Sequence, residues 1–346
     1  MIRLLVVDDS AFARCAILRL VSACPEIEIV GFSHDGIEAL EQVKKLKPDV
    51  ITLDVEMPRM SGLEALETIM AEVPTPVVMA SSMTGRGTKT TIRALEIGAV
   101  DFFLKASIAN PVGSCGCQNE LITKIKLAAK VDKASLKRGP ARQESPLRAR
   151  RLIPRHTSSP RKVVVIASST GGPGALYQII PRLPEDLPAA LIVIQHMPAG
   201  FTRSLSERLN ELSLVSVREA EPDVLLKEGQ VLMAPGSYHM MVEAGDKISI
   251  NQNLPVLGLR PAADVTMPSV ARWYEGSSIG VVLTGMGSDG TNGAASIKAS
   301  GGKVVAQDEA TCVVYGMPRS VVESGLADKI VPLSQIAEEI VALCQS

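Results

Sequence analysis

No run of apolar residues in this chain approaches the ~20 needed to cross a bilayer as a helix, so no membrane insertion is expected. The amino terminus lacks a signal-peptide pattern, because Met1-Ile-Arg-Leu-Leu-Val-Val leads straight into acidic residues and reads as a first strand. Disulfide frameworks and zinc sites are also missing. The six cysteines (15, 24, 115, 117, 312 and 344) are scattered, and Cys115-Gly-Cys117 has neither the two-residue spacing of metal and redox motifs nor a second pair to complement it. A reducing cytoplasm is the expected setting. Aromatics are few, at 3%, but an apolar content of 46% over 346 residues is enough for two domains, each with its own core.

Charge is nearly balanced overall, at −1, yet it is unevenly spread. Residues 132–162 hold ten Lys and Arg against two Asp and Glu, whereas the stretches on either side are acidic on balance. A basic segment can signal nucleic acid. Here its Ser, Pro and Gly content and its lack of apolar periodicity favour a flexible linker, dividing the chain into domains at 1–131 and 163–346. No nucleic-acid partner is expected.

In the first domain strand and helix patterns alternate. Strands are expected at 2–7, 27–31, 49–54, 76–81 and 101–105, and helices at 11–21, 36–46, 61–72, 88–98 and 119–131, with a loop at 107–118. This pattern predicts a doubly wound, five-stranded parallel α/β sheet, in which sites gather at the C-terminal strand ends. Asp8, Asp9, Asp54, Ser81 and Lys105 all fall there. Three carboxylates and one lysine make a hard oxygen site suited to Mg²⁺. Asp54 is then the residue to accept a phosphoryl group, with Ser81 and Lys105 contacting its oxygens.

These residues resemble a response-regulator receiver domain over 1–106: V-V-D-D, T-L-D-V-E-M-P, M-A-S-S and F-F-L-K occur in that family's order. The resemblance implies phosphorylation at Asp54, Mg²⁺ held by Asp8, Asp9, Asp54 and the main-chain carbonyl of Glu56, and an aromatic switch at Phe102. One position departs from the family pattern, since Ala106 follows Lys105 where proline is usual.

The second domain turns on Val163-Val-Val-Ile-Ala-Ser168-Ser169-Thr170-Gly171-Gly172, a buried strand that runs into a tight turn and then a helix. A hydroxyl there sits at a sheet edge beside unpaired helix-start N–H groups, where developing negative charge is stabilised. An ordinary helix cap would look the same in isolation. Two further buried strands end at His196 (190–196) and just before Asp289 (278–284), so a serine, a histidine and an aspartate meet at one edge of a second doubly wound, mostly parallel α/β sheet. Other strands are expected at 214–218, 230–234 and 302–306, a hairpin at 238–250, and helices at 175–180, 201–212, 263–274, 294–300 and 334–344. In this arrangement Ser169 attacks, His196 takes its proton, and Asp289 orients the imidazole. The Met286 backbone N–H sits where it can face an oxyanion.

The segments A-S-S-T-G-G-P, I-Q-H-M-P-A-G-F-T, T-G-M-G-S-D-G and A-Q-D-E-A-T-C-V-V-Y-G-M-P resemble the catalytic domain of the chemotaxis protein-glutamate methylesterase (CheB) family. The resemblance places the nucleophile at Ser169 rather than Ser168. It implies that Thr170 and the following helix N–H groups help bind the oxyanion, and that Arg203 contacts an acidic receptor surface. It further implies hydrolysis of γ-glutamyl methyl esters on methyl-accepting chemotaxis receptors, with deamidation of receptor glutamines at the same sites. The esterase chemistry needs no cofactor. A chemotaxis histidine kinase is the implied phosphodonor, and phosphorylation is expected to relieve a block of the catalytic face by the receiver. Three other readings stand beside this one. A DNA-binding regulator is disfavoured by the acidic C-terminal domain, and a dinucleotide enzyme by a turn that is not G-x-G-x-x-G. An adaptor with a dormant site is the third.

Overall fold

The computed structural model describes residues 1–82, 84–109, 115–131, 133 and 159–346. The chain forms two compact units, Met1–Arg142 and Gln143–Ser346. The expected linker, 132–162, lies outside the described residues except at 133 and 159–162. Among the described residues no helix is long and apolar enough to cross a membrane.

In the first unit β1 (Ile2–Val7), β2 (Ile27–Ser33), β3 (Val50–Asp54), β4 (Val77–Ser81) and β5 (Asp101–Leu104) form a five-stranded sheet in the order β2-β1-β3-β4-β5, with every neighbouring pair parallel. Strands covered on both faces read as continuous apolar runs, and all five residues of β3 and of β4 are buried. The helices α1 (Ala11–Val21), α2 (Gly36–Leu46), α3 (Gly62–Glu72) and α4 (Gly85–Ile97) each start on a side-chain cap, supplied by Ser10, Asp35, Ser61 and Thr84. Ser61 and Glu64 complete a capping box. The strand order reverses between β1 and β3, which brings Asp8 and Asp54 to the crevice where such sheets bind ligands.

The end of this unit differs from expectation. A short helix, α5 (Lys105–Ala109), occupies the start of the expected loop, and α6 (Cys115–Ala128) begins four residues before the expected 119. The Gly and Cys at 116 and 117 pointed to a loop, yet they sit inside a helix whose Leu121, Ile125 and Ala128 are buried; packing outweighs their poor propensity.

The second unit holds seven strands in the order β14-β13-β12-β6-β7-β9-β8. They are β6 (Lys162–Ser168), β7 (Ala189–Gln195), β8 (Ser216–Glu219), β9 (Gln230–Met233), β12 (Ser278–Val282), β13 (Lys303–Gln307) and β14 (Lys329–Val331). All pairings within this sheet are parallel. The antiparallel addition stands apart as a hairpin, β10 (His239–Glu243) with β11 (Lys247–Asn251). Its edge is covered by a helix running Ala263–Tyr274. The Thr266 hydroxyl donates to the Met240 carbonyl at 2.7 Å, and the Ser269 hydroxyl accepts from the Val242 amide at 3.0 Å. A helix over Met317–Glu323 and the short β14 were not foreseen, because seven and three residues are too few to show a period. Strand order reverses around β6, so the C-terminal ends of β12, β6 and β7 lie side by side.

Gly62 opens α3 against the backbone of Asp54, and a Cβ there would collide with the Asp54 carbonyl oxygen. Gly62→Ala is expected to destabilise the first unit by about 1–3 kcal/mol, more than the ~1 kcal/mol expected for loss of the neighbouring cap in Ser61→Ala. Hydrogen-exchange protection of the β3 amides measures both, and an equal or smaller loss for Gly62→Ala would count against this packing account.

Candidate active site

The turn after β6 settles which serine is available. Successive strand residues face opposite ways, and Ser168 is fully buried with its hydroxyl donated to Gln195 Oε1 at 2.7 Å. The amide of Gln195 in turn donates to the carbonyls of Ser169 (3.0 Å) and His196 (3.3 Å). Ser169, by contrast, is partly exposed. Its own amide is anchored on the Thr284 carbonyl of the adjacent strand end at 3.0 Å. Gly171 then takes φ +78° to start the helix Gly172–Ile179, a conformation that disfavours any side chain.

His196 follows β7 directly, with its amide bonded to the Ser168 carbonyl at 3.1 Å. Its Nε2 lies 2.8 Å from Asp289 Oδ2. A carboxylate only accepts, so Nε2 carries the ring proton and Nδ1 holds the lone pair. Nδ1 is buried and makes no hydrogen bond. It is the nitrogen left to act as a base, whereas in the familiar serine-protease arrangement Nε2 has that task.

Asp289 is buried and held on both oxygens: Oδ2 also accepts the Ala263 amide at 2.7 Å, and Oδ1 accepts the Asp264 amide at 2.9 Å. Burial alone would raise its carboxyl, but the hydrogen bond and charge of His196 and these two amides outweigh it and hold the group below the usual aspartate value. It is therefore a stable anion across the physiological range. Thr170 is buried beside the serine, and its carbonyl accepts the Thr284 hydroxyl at 3.0 Å. The Met286 amide donates to none of the described residues, while its side chain is exposed. Arg203 pairs with Glu219 at 3.2 Å.

In the first unit the structure brings together Asp8, Asp9 and Asp54, whose ligand oxygens all lie within 4.8 Å of one another. Lys105 Nζ sits 2.5 Å from Asp54 Oδ2 and 2.9 Å from Asp8 Oδ2. Burial pushes the Asp54 carboxyl up to about 6, with the Asp8 charge adding to it and Lys105 opposing. Burial would lower Lys105, but the two carboxylates raise it. The amide of Glu56 faces Asp54 Oδ1 at 3.4 Å. Ser81 ends β4 as expected, yet its hydroxyl is engaged elsewhere, 2.6 Å from the Thr91 hydroxyl. Phe102 is buried under the Lys124 ammonium, 5.3 Å from its ring centroid.

Comparison with known proteins bears on both units. Residues 164–340 match the family described as CheB methylesterase, and residues 4–111 match the response regulator receiver domain. A protein-glutamate methylesterase/protein-glutamine glutaminase of Symbiobacterium thermophilum is 50% identical, covering 98% of this chain and 96% of that protein. The chain belongs to the CheB methylesterase family. A relative of the same description from Pyrococcus horikoshii is 46% identical over 98% of this chain and 93% of its own length. The crystal structure of the Thermotoga maritima CheB methylesterase catalytic domain is 46% identical, with a TM-score of 0.52 over 54% of this chain and 99% of that one. The DNA-binding and dinucleotide-binding readings fall with this assignment.

Sequence reasoning missed three residues that shape the CheB-type site. Gln195 was visible in I-Q-H-M-P, but its work is to sequester Ser168 and fix the Ser169 and His196 carbonyls. Thr284 ties neighbouring loops together, donating to the Thr170 carbonyl and accepting the Val314 amide at 2.9 Å. Asp264 lies 25 residues before Asp289 and gave no local signal.

A carboxyl raised on folding adds stability below its unfolded pKa and loses it as pH climbs through the folded value, here the window from about 4 to about 6. Without divalent cation, Asp54→Asn is expected to be more stable than wild type by about 2–3 kcal/mol at pH 8 and equal to it near pH 4. Hydrogen-exchange protection of β1 and β3 across this range measures the difference, and a gain independent of pH would rule out burial as its cause.

Proposed function

We propose that the protein hydrolyses glutamate γ-methyl esters on methyl-accepting chemotaxis receptors in the cytoplasm, releasing methanol, and deamidates receptor glutamines at the same site. The observation that carries this reading is the His196–Asp289 pair beside a serine whose neighbour, Ser168, is withdrawn into the core. The names of the relatives support the ester and amide substrates.

In the proposed reaction Ser169 Oγ attacks the ester carbonyl as its proton passes to His196 Nδ1. Asp289 stabilises the resulting imidazolium through Nε2–H. The oxyanion draws on the Met286 amide and on the turn that carries Thr170. His196 then gives its proton to the departing methoxy oxygen, and methanol leaves an acyl-enzyme on Ser169. A water molecule attacks that acyl group, passing its proton to Nδ1, and the serine oxygen departs with a proton from the ring, leaving glutamate. With glutamine the first leaving group is ammonia.

The receiver is proposed to regulate this chemistry through phosphorylation of Asp54 by a chemotaxis histidine kinase. The oxygen-only donor set of Asp8, Asp9 and Asp54, with the Glu56 main-chain carbonyl, fits Mg²⁺, and the buried Asp8 Oδ2 faces the Lys105 ammonium alone among the described residues. When bound, the ion supplies positive charge that holds Asp54 ionised and screens an incoming phosphoryl group. Lys105 is placed to take one phosphoryl oxygen. Ser81 reaches another only by giving up Thr91, and the buried Phe102 is the side chain proposed to follow that exchange. Ala106 is the second residue of α5, where receivers usually carry proline.

Methanol release from methylated receptor membranes tests the reading, with Mg²⁺ and a small phosphodonor added or withheld. Ser169→Ala is expected to lower release at least about 10³-fold, while Ser168→Ala keeps a Ser169-dependent rate. Asp54→Ala is expected to retain basal release but lose stimulation by the donor. Wild-type protein that is folded and phosphorylated yet releases no methanol would overturn the esterase proposal.

A further inference from the structure

Two carboxylates in the second unit are arranged reciprocally. Asp289 lies immediately before Gly290, which starts the helix Thr291–Ala299, and Asp264 is the second residue of the helix Ala263–Tyr274. Neither helix has a capping side chain at its own N-cap, since those positions are Gly290 and Ala262. Each is capped instead by the acid of the other. Asp289 accepts the Ala263 and Asp264 amides at 2.7 and 2.9 Å. Asp264 Oδ1 accepts the Gly290 and Gly293 amides at 2.9 and 2.8 Å, and its Oδ2 takes the Asn292 side-chain amide at 3.2 Å. Helix starts leave such amides unpaired and carry positive charge, so each acid is drawn to the opposite helix.

The turn that bears Asp289 contains Gly287 (φ +86°) and Gly290 (φ +92°) and has no side-chain cap of its own. Glycine gives such a turn freedom rather than definition. Just after Asp289 it is held by Asp264 on the Gly290 and Gly293 amides, with the Thr291 amide on the Ser288 carbonyl at 3.1 Å and the Thr291 hydroxyl 2.8 Å from that of Ser320. Burial, opposed by the Gly293 amide, raises the Asp264 carboxyl, and the neighbouring Asp289 charge adds to the rise.

We propose that Asp264 is a positioning residue for hydrolysis: it locks the Gly290–Gly293 amides and thereby sets the Asp289 carboxylate on His196 Nε2. This role rests on the reading of Ser169, His196 and Asp289 as the triad. It acts wholly through Asp289, so its removal lowers turnover only while Asp289 is present.

A double-mutant cycle on the full-length protein tests it, with hydrolysis of p-nitrophenyl acetate and methanol release from receptor membranes as readouts. Asp264→Ala is expected to lower kcat about 10–100-fold with KM unchanged, the scale of a sub-ångström to ångström misplacement. Asp264→Asn keeps an acceptor for the two backbone amides and is expected to stay within about 3-fold of wild type. In an Asp289→Asn background, Asp264→Ala is expected to change kcat by less than about 2-fold. An unchanged kcat in the single variant, or the same loss repeated in the Asp289→Asn background, would overturn the proposal. Should Asp264→Ala unfold, Asp264→Ser, too short to hold both amides, takes its place in the cycle. Equal hydrolysis of p-nitrophenyl acetate by wild type and Ser169→Ala would overturn the triad itself, and the positioning role with it. Ser169-dependent cleavage of the small ester without methanol release would remove only the receptor substrate.

Discussion

Helix starts and the turns that leave parallel strands expose backbone N–H groups in need of acceptors, and both functional clusters answer that constraint. Asp8 accepts the Ser10 amide at 2.9 Å, and Asp54 faces that of Glu56. Asp289 accepts two amides of the helix that follows the hairpin, and Asp264 two at the next helix start. The acids are held in place because the backbone there needs acceptors. Asp289 accepts main-chain amides on both oxygens while Oδ2 also meets His196, whereas Asp8 gives Oδ1 to the Ser10 amide and Oδ2 to Lys105.

Asp54 and Asp289 show how two buried carboxylates acquire opposite acidities. Both are buried, Asp54 as the last residue of β3 and Asp289 on the turn that leads from β12 to the next helix. Asp289 receives two backbone amides and an imidazole, and stays ionised. Asp54 receives one long amide contact and shares a single lysine with Asp8, so desolvation prevails. The difference lies in the donors each receives and in the Asp8 charge beside Asp54. The esterase carboxylate is a fixed charge, whereas the receiver carboxylate is poised so that a cation or a change of pH alters it.

Much of this was legible in the sequence. Strand-and-helix alternation gave both sheets, and the strand-end rule singled out Asp8, Asp54, His196 and the serine turn, while the choice of Ser169 over Ser168 came from the family resemblance. Periodic patterns fail on elements shorter than two turns, which is why the helix at 317–323 and the three residues of β14 escaped notice. Gly116 and Cys117 misled for another reason, since buried Leu121 and Ile125 recruit the preceding turn into the helix. Asp264, Gln195 and Thr284 act through hydrogen bonds to residues 25, 26 and 114 positions away, and linear spacing carries no trace of such contacts. Ser81 marks a subtler limit: its place at the end of β4 was readable, but the direction of its hydroxyl was not.

The orientation of His196 has a mechanical corollary. Nδ1 lies nearer the main chain than Nε2, so it sits close to the pivot of the side chain while Nε2 is at the tip. The tip is clamped by a buried carboxylate that two backbone amides secure, and the pivot is tied down by the Ser168 carbonyl. A given angular wobble of the ring then displaces Nδ1 less than it would displace the outer nitrogen. The imidazole behaves as a short lever pinned at its far end, which leaves Nδ1 little play without a second side chain to brace it.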